Sequence, residues 1–255
     1  MGHWYDSEGN PRHFEGKDGK GTTLREARKL DLYPSVTTIG QVKYKFGLEK
    51  WKIETVCKYA LTQGIDKEVY VVVNEAFEEL DKQAQDGTDI HDILEKYFVG
   101  EEVEEKHIPM CERVFEVIQE NTYPFEEWTD GAYRSFKTET RFCDTEHGFA
   151  GMCDLHNSEW VIDYKSKDTV DEKTKGWKEQ AEQLAAYAHG LGYPNARLAN
   201  VFISREPPPE GEPWGVVWYE HKDDMAWQRF RHTLMLWQVE NKYGPYFEAI
   251  KGEES

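Results

Sequence analysis

The fold is decided by the stretch Gly148-Phe149-Ala150-Gly151-Met152-Cys153-Asp154-Leu155-His156-Asn157-Ser158-Glu159-Trp160-Val161-Ile162-Asp163-Tyr164-Lys165. Two apolar, β-prone runs flank the polar turn His156-Asn157-Ser158-Glu159, the pattern of a hairpin. Charge is costly inside an apolar strand, because an unpaired buried ion loses its hydration. Yet the second run carries Asp163 and Lys165 two residues apart, hence on one face. A turn centred between Asn157 and Ser158 sets Asp154 opposite Val161, with Asp163 as its diagonal neighbour, roughly 7–8 Å away at the backbone. Two carboxylates at that spacing can share one divalent cation, and hard oxygen ligands suit Mg²⁺ or Mn²⁺ better than zinc. The competing reading is an ordinary surface ion pair of Lys165 with Asp154 or Asp163.

Outward from the hairpin, the expected elements alternate between helix and strand. A polar, turn-rich lead-in covers about the first thirty residues. Helices follow at about 48–61 and 65–84, an interruption at Asp86-Gly87-Thr88, and further helices at about 89–98 and 108–119. Strands are expected at about 133–143, in the hairpin, at 198–204 and, as an edge, at 215–221. A helix at 175–191 carries the core stripe Trp177, Ala181, Leu184, Ala188 and Leu191. A last helix covers about 224–242. This order predicts an α/β fold, a mixed β-sheet flanked by helices. Residues 1–84 are expected to form an N-terminal lead-in and helical extension, arching over a core made by residues 85–255.

The chain of 255 residues has a net charge of −18, which argues against tight, non-specific coating of duplex DNA. Bound divalent ions and local basic clusters offset this. Such clusters are Lys165-Ser166-Lys167 and Lys173-Thr174-Lys175-Gly176-Trp177-Lys178. A threaded or end-bound strand therefore suits the charge better than a coated duplex. No membrane-length apolar run or basic-then-apolar leader occurs in the sequence. Cys57, Cys111, Cys143 and Cys153 lack CxxC spacing, which favours reduced, cytoplasmic thiols over a zinc site or an iron–sulfur cluster.

Other candidate residues each carry two readings. His91 lies beside the stripe Ile90, Leu94 and Tyr97, as a half-buried structural histidine or as a metal ligand if its helix meets the acidic hairpin. Glu139, in an alternating strand, supports the site or faces solvent. Gln183 and Tyr187 share a helix face, as boundary and core residues or as a brace for the lysine or a phosphate. Ser35 and Thr37 offer hydroxyls to phosphates or cap the helix that follows.

Taken in order, Gly87 and His91, Glu139, Gly151 and Asp154, Asp163 to Ser166, and Gln183 with Tyr187 resemble the RecB-type branch of the PD-(D/E)XK nucleases. The resemblance spans about residues 34–205. Its leading segment, Pro34-Ser35-Val36-Thr37, is similar to that of mitochondrial genome maintenance exonuclease and related phage exonucleases. It implies a restriction-endonuclease-like core and a deoxyribonuclease dependent on Mg²⁺ or Mn²⁺. Asp154 and Asp163 would bind metal, with His91 and the backbone carbonyl of Tyr164 completing the shell. Lys165 would orient the attacking water, supported by Glu139, Gln183 and Tyr187. Ser35, Thr37, Ser166 and Lys167 would contact DNA. The implied substrate is single-stranded DNA or DNA ends, with replication or recombination proteins as partners, in the cytoplasm of a bacterial or phage-infected cell. An endonuclease on duplex or branched DNA, or a catalytically silent binding module, would share the fold. The chain departs from some relatives in lacking a C-terminal cysteine cluster, a Walker motif, and the motif's leading proline, since Cys153 precedes Asp154.

Overall fold

The hairpin sits in the middle of a five-stranded sheet. A computed structural model describes residues 2–43, 46–63, 67–122 and 136–253, with side chains described throughout these except at 46–49, 51, 63, 79–89 and 253. The strands are β3 (Lys137–Asp144), β4 (Phe149–His156), β5 (Trp160–Lys167), β6 (Arg197–Ser204) and β7 (Val216–His221), in that spatial order. Only β5 and β6 are parallel, so the sheet is mixed. A parallel pair needs a long crossover, and helix α6 (Lys178–Gly190) supplies it. A separate two-stranded ribbon pairs β1 (Trp4–Tyr5) with β2 (Tyr33–Pro34).

Each face of the sheet is covered, which gives an α/β architecture. Strand alternation sends Val161 toward α6 and α7 (Ala226–Asn241), where Phe149, Leu184, Phe230 and Trp237 pack. It sends Trp160, Ile162 and Tyr164 to the other side, against Ile90 and Leu94 of α4 (Val69–Val99) and Val114 and Ile118 of α5 (Ile108–Thr122). The N-terminal segment, which includes the short helix α1 (Leu24–Lys29), joins the first of these cores, because Trp4, Val36 and Ile39 pack with Phe149 and Leu184.

Several elements differ from expectation. Asp86-Gly87-Thr88 does not interrupt its helix, since α4 runs unbroken for 31 residues through the expected boundary at 84/85. A mid-helix glycine costs only about 1 kcal/mol, and α4 recovers more by burying Val72, Ala76, Ile90 and Leu94. Gly100, at φ +80°, closes it. Strand β3 begins at Lys137, and residues 133–135 of the expected strand lie outside the described residues. Helix α6 starts at Lys178, leaving Trp177 exposed at its N-cap rather than in the core stripe. An additional helix, α8 (Pro245–Glu253), follows α7. Of the expected arch, α3 (Phe46–Gln63) packs on α4, where the Tyr59 hydroxyl donates to Glu75 at 3.1 Å. No helix among the described residues is long and apolar enough to cross a membrane.

The hairpin register is the most consequential difference. Asn157 N–H donates to the Trp160 carbonyl at 2.9 Å. The Asn157 side-chain oxygen accepts from the Glu159 and Trp160 N–H groups, both at 2.8 Å. This Asx-type closure centres the turn between Ser158 and Glu159. Leu155 therefore pairs with Ile162 and His156 with Val161, and continuing that register sets Asp154 opposite Asp163 rather than Val161.

Candidate metal centre

The β4–β5 ladder is only those two residue pairs long. Beyond it the strands part, and the Asp154 carboxylate takes the place of a ladder carbonyl, with Oδ2 accepting the Tyr164 N–H at 2.7 Å. Further along β4, the edge left free bridges to Ser35 at Ala150. The site lies in the resulting V between two strands of one sheet.

Three acids line up across the sheet. The β3–β4 register, continued through Thr138↔Leu155 and Thr140↔Cys153, places Glu139 opposite Asp154. That pair is missing from the ladder, and Glu139 stands at φ +43°, a left-handed conformation costing roughly 1–2 kcal/mol for a non-glycine residue. Cys153 packs on the α6 side and Leu155 on the α4 side, so the alternation of β4 breaks at Asp154. The break lets Asp154 meet a helix from the far side of the sheet. His91 Nδ1 of α4 lies 3.4 Å from Asp154 Oδ2. The His91 ring stands edge-on to Tyr164 at 5.7 Å.

His91, Glu139 and Asp154 each offer a ligand atom, and these atoms all lie within 4.8 Å of one another. One imidazole and two carboxylates make a set suited to a divalent cation. Electrostatics point the same way. Burial raises the Glu139 carboxyl to about 8, with the Asp154 charge adding to it. Burial pulls the His91 imidazole down, but the neighbouring Asp154 overrides this and lifts it to about 9. Both shifts offset the negative charge gathered at the cluster.

Asp163 is only 3% exposed, and both its oxygens are engaged. Oδ2 takes the Lys165 ammonium at 2.6 Å and the Asn200 amide at 2.8 Å, while Oδ1 accepts from Gln183 Nε2 at 3.2 Å. Burial lifts its carboxyl above the ordinary Asp range, and Lys165 does not fully cancel this. Burial alone would lower Lys165, but Asp163 and Asp154 together raise it, so the side chain stays an ammonium. The tight cluster thus draws in Glu139, while Asp163 anchors the lysine beside it. Tyr164 presents its N–H to Asp154.

The remaining expected residues fall at graded distances from this centre. Gln183 braces Asp163, and its amide also donates to the Tyr187 hydroxyl at 2.7 Å. Gly151 keeps that corner tight: an added Cβ would sit 2.9 Å from the Phe142 ring and 3.1 Å from Tyr187. Ser35 caps the short helix α2 (Val36–Ile39), accepting from the Thr38 N–H at 3.0 Å, and its hydroxyl lies 2.9 Å from that of Thr37. Thr37 and Gln183 line one small cavity of about 50 Å³. Ser166 accepts from Arg205 Nη1 at 3.4 Å. Lys167 lies 4.6 Å over the Phe202 ring, where burial holds its ammonium below the ordinary value.

Sequence reasoning missed Asn200 and His221. Asn200 is fully buried in β6, beside Asp163 in the parallel register. It donates to the Asp163 carbonyl at 3.1 Å as well as to the carboxylate. Its oxygen lies 2.7 Å from His221 Nε2. The Asn200 amide is fixed as donor by two acceptors, so its oxygen needs a donor and His221 carries its proton on Nε2. Burial lowers His221 to about 4, so it is neutral. The available signal was a polar residue inside the apolar run Leu198-Ala199-Asn200-Val201-Phe202-Ile203.

No family model and no curated protein matches this chain. A solved structure, the crystal structure of SSO0001, is similar over 61% of this chain and 88% of its own, at 14% identity and a TM-score of 0.27.

Proposed function

We propose that this protein is a metal-dependent deoxyribonuclease of the PD-(D/E)XK superfamily, with a restriction-endonuclease-like core, acting as an exonuclease on single-stranded DNA or DNA ends. The observation that carries the reading is the convergence of His91, Glu139 and Asp154 within 4.8 Å, beside a half-buried lysine anchored at 2.6 Å by Asp163. A surface ion pair would not require a carboxylate in place of a ladder carbonyl, nor a left-handed glutamate opposite it.

His91, Glu139 and Asp154 would hold Mg²⁺ or Mn²⁺, with Asp163 at its margin. When bound, the cation polarises the phosphoryl group and offsets its charge. The other steps belong to the chain. Lys165, kept protonated by Asp163, donates a hydrogen bond to the attacking water or to a phosphate oxygen and so orients the attack. An ammonium cannot accept the water's proton, which must pass to solvent or to a carboxylate. Water oxygen bonds to phosphorus, the bridging P–O bond breaks, and the leaving oxygen gains a proton. Gln183, Tyr187 and Asn200 hold Asp163 in place, which fixes Lys165 in turn. Ser35, which bridges to β4, with Thr37 beside it, and Ser166 and Lys167 of β5 would contact the strand. The protein would act in the cytoplasm, with replication or recombination proteins as partners.

The test uses an end-labelled single-stranded oligonucleotide, a circular single strand and a duplex, each with Mg²⁺ or Mn²⁺. Metal-dependent loss of the linear strand with the circle intact is expected, and Asp154→Asn and Lys165→Ala should abolish it. Cleavage of the circle makes the enzyme an endonuclease. Binding without turnover, insensitive to EDTA, makes it a silent module.

A further inference from the structure

Helix α6 crosses the sheet obliquely: Gly190 at its end meets Phe142 of β3, Gln183 lies over Asp163 of β5, and Gly176, just before it, meets β7. An added Cβ on Gly176 would come within 2.4 Å of the His221 ring and 2.6 Å of Tyr219. From there the path to the centre is short. His221 bonds Asn200 at 2.7 Å, and Asn200 bonds Asp163 at 2.8 Å. The next residue, Trp177, therefore stands over β7, two strands across the sheet from Asp163 of β5.

Trp177 is 57% exposed, although a tryptophan so placed would ordinarily cover apolar surface. Its backbone is fixed, with N–H donating to Gln180 Oε1 at 2.8 Å. Lys173, Lys175 and Lys178 around it are all exposed, and no acid lies between Lys173 and Lys178 in a chain of net charge −18. The flanking acids are Asp171 and Glu172 before this stretch and Glu179 after it, and Asp223 lies within electrostatic reach of Lys178. The Asp171 carboxylate accepts from the Lys173 N–H at 3.0 Å and from the Thr174 hydroxyl at 3.3 Å, which closes the loop.

We propose that Trp177, with Lys173, Lys175 and Lys178, is a stacking platform for an unpaired base of a single nucleic-acid strand whose backbone passes the Asp163–Lys165 centre. This rests on the nuclease reading for the strand's direction of travel, but not for its binding. An exposed indole offers a face to any base, and the three ammonium groups around it supply phosphate attraction. A duplex, whose bases are already stacked, gains nothing from the indole.

The test is fluorescence anisotropy of a labelled oligo-dT in Ca²⁺, comparing wild type, Trp177→Ala and Trp177→Phe, with a matching abasic strand and a poly-glutamate competitor. Trp177→Ala should bind oligo-dT roughly five- to a hundredfold more weakly, while Trp177→Phe stays within about threefold of wild type. On the abasic strand, wild type and Trp177→Ala should bind alike. Replacing the three lysines with glutamine should lower the salt slope by about 0.7 for each phosphate no longer neutralised. The proposal is overturned if Trp177→Ala binds oligo-dT like wild type, if its loss is equal on the abasic strand, or if poly-glutamate competes as well as DNA. Binding through Trp177 without cleavage would sink the nuclease reading alone, and cleavage indifferent to Trp177 would sink this one alone.

Discussion

Asn200→Ala should destabilise the protein by about 3–5 kcal/mol, although Asn200 touches neither solvent nor the His91–Glu139–Asp154 cluster directly. Asn200 makes one hydrogen bond to the Asp163 carboxylate, one to the Asp163 carbonyl, and accepts one from His221. A bond to a charged group contributes about 1.5–3 kcal/mol and each neutral one about 0.5–1.5 kcal/mol, with every abandoned partner left in a buried setting. His221→Phe removes only the third bond and should cost about 1 kcal/mol. The double variant should cost less than the two single losses combined, by about 1 kcal/mol, because the shared bond can be lost only once. Urea unfolding followed by circular dichroism reads all four proteins, with the slope m unchanged if only the native state is affected. A loss below about 1 kcal/mol for Asn200→Ala, or full additivity with His221→Phe, would refute the relay from β7 to Asp163.

Other consequences follow from the same geometry. Mn²⁺ binding followed by calorimetry should weaken at least about tenfold in Asp154→Ala and in Glu139→Gln, whereas Trp177→Ala should bind the ion like wild type. The folded-state value of His221 is depressed from 6.5 to about 4. Its contribution is therefore present above pH 6.5 and is lost as the pH falls toward 4, so His221→Phe should flatten the pH dependence of stability in that window. Asn157→Ala frees two N–H groups that its side chain holds at 2.8 Å; thermal unfolding should show a loss of about 1–2 kcal/mol. Tyr187→Phe removes one acceptor from Gln183 while keeping the ring against Phe142, and should cost about 0.5–1.5 kcal/mol in the same assay.

Local chemistry made much of this arrangement legible in the sequence. Alternating apolar runs mark the hairpin, because a half-buried strand must send successive side chains to opposite sides. Asp163 and Lys165 are conspicuous because charge in an apolar run requires a partner, and each is the other's partner at 2.6 Å. The helix–strand order carries the α/β class, since each apolar stripe must be covered by another layer. The same rule applied to Leu198–Ile203 would have found Asn200, a polar residue whose burial needed explanation as much as that of Asp163.

The amino-acid pattern by itself determined the order of the sheet strands and the main helices that cover them, and that an acid and a base lie together on one strand. Only the tertiary structure decided which acids meet. The Asn157 side chain closes the turn and moves its centre by one residue, setting Asp154 opposite Asp163. The left-handed Glu139 and the broken alternation at Asp154 then turn the cluster toward His91 on a helix from the other face. Periodicity records which side of a strand a residue occupies. Register and the placement of a helix over a sheet arise from hydrogen bonds and packing between segments distant in sequence, and no local pattern contains them.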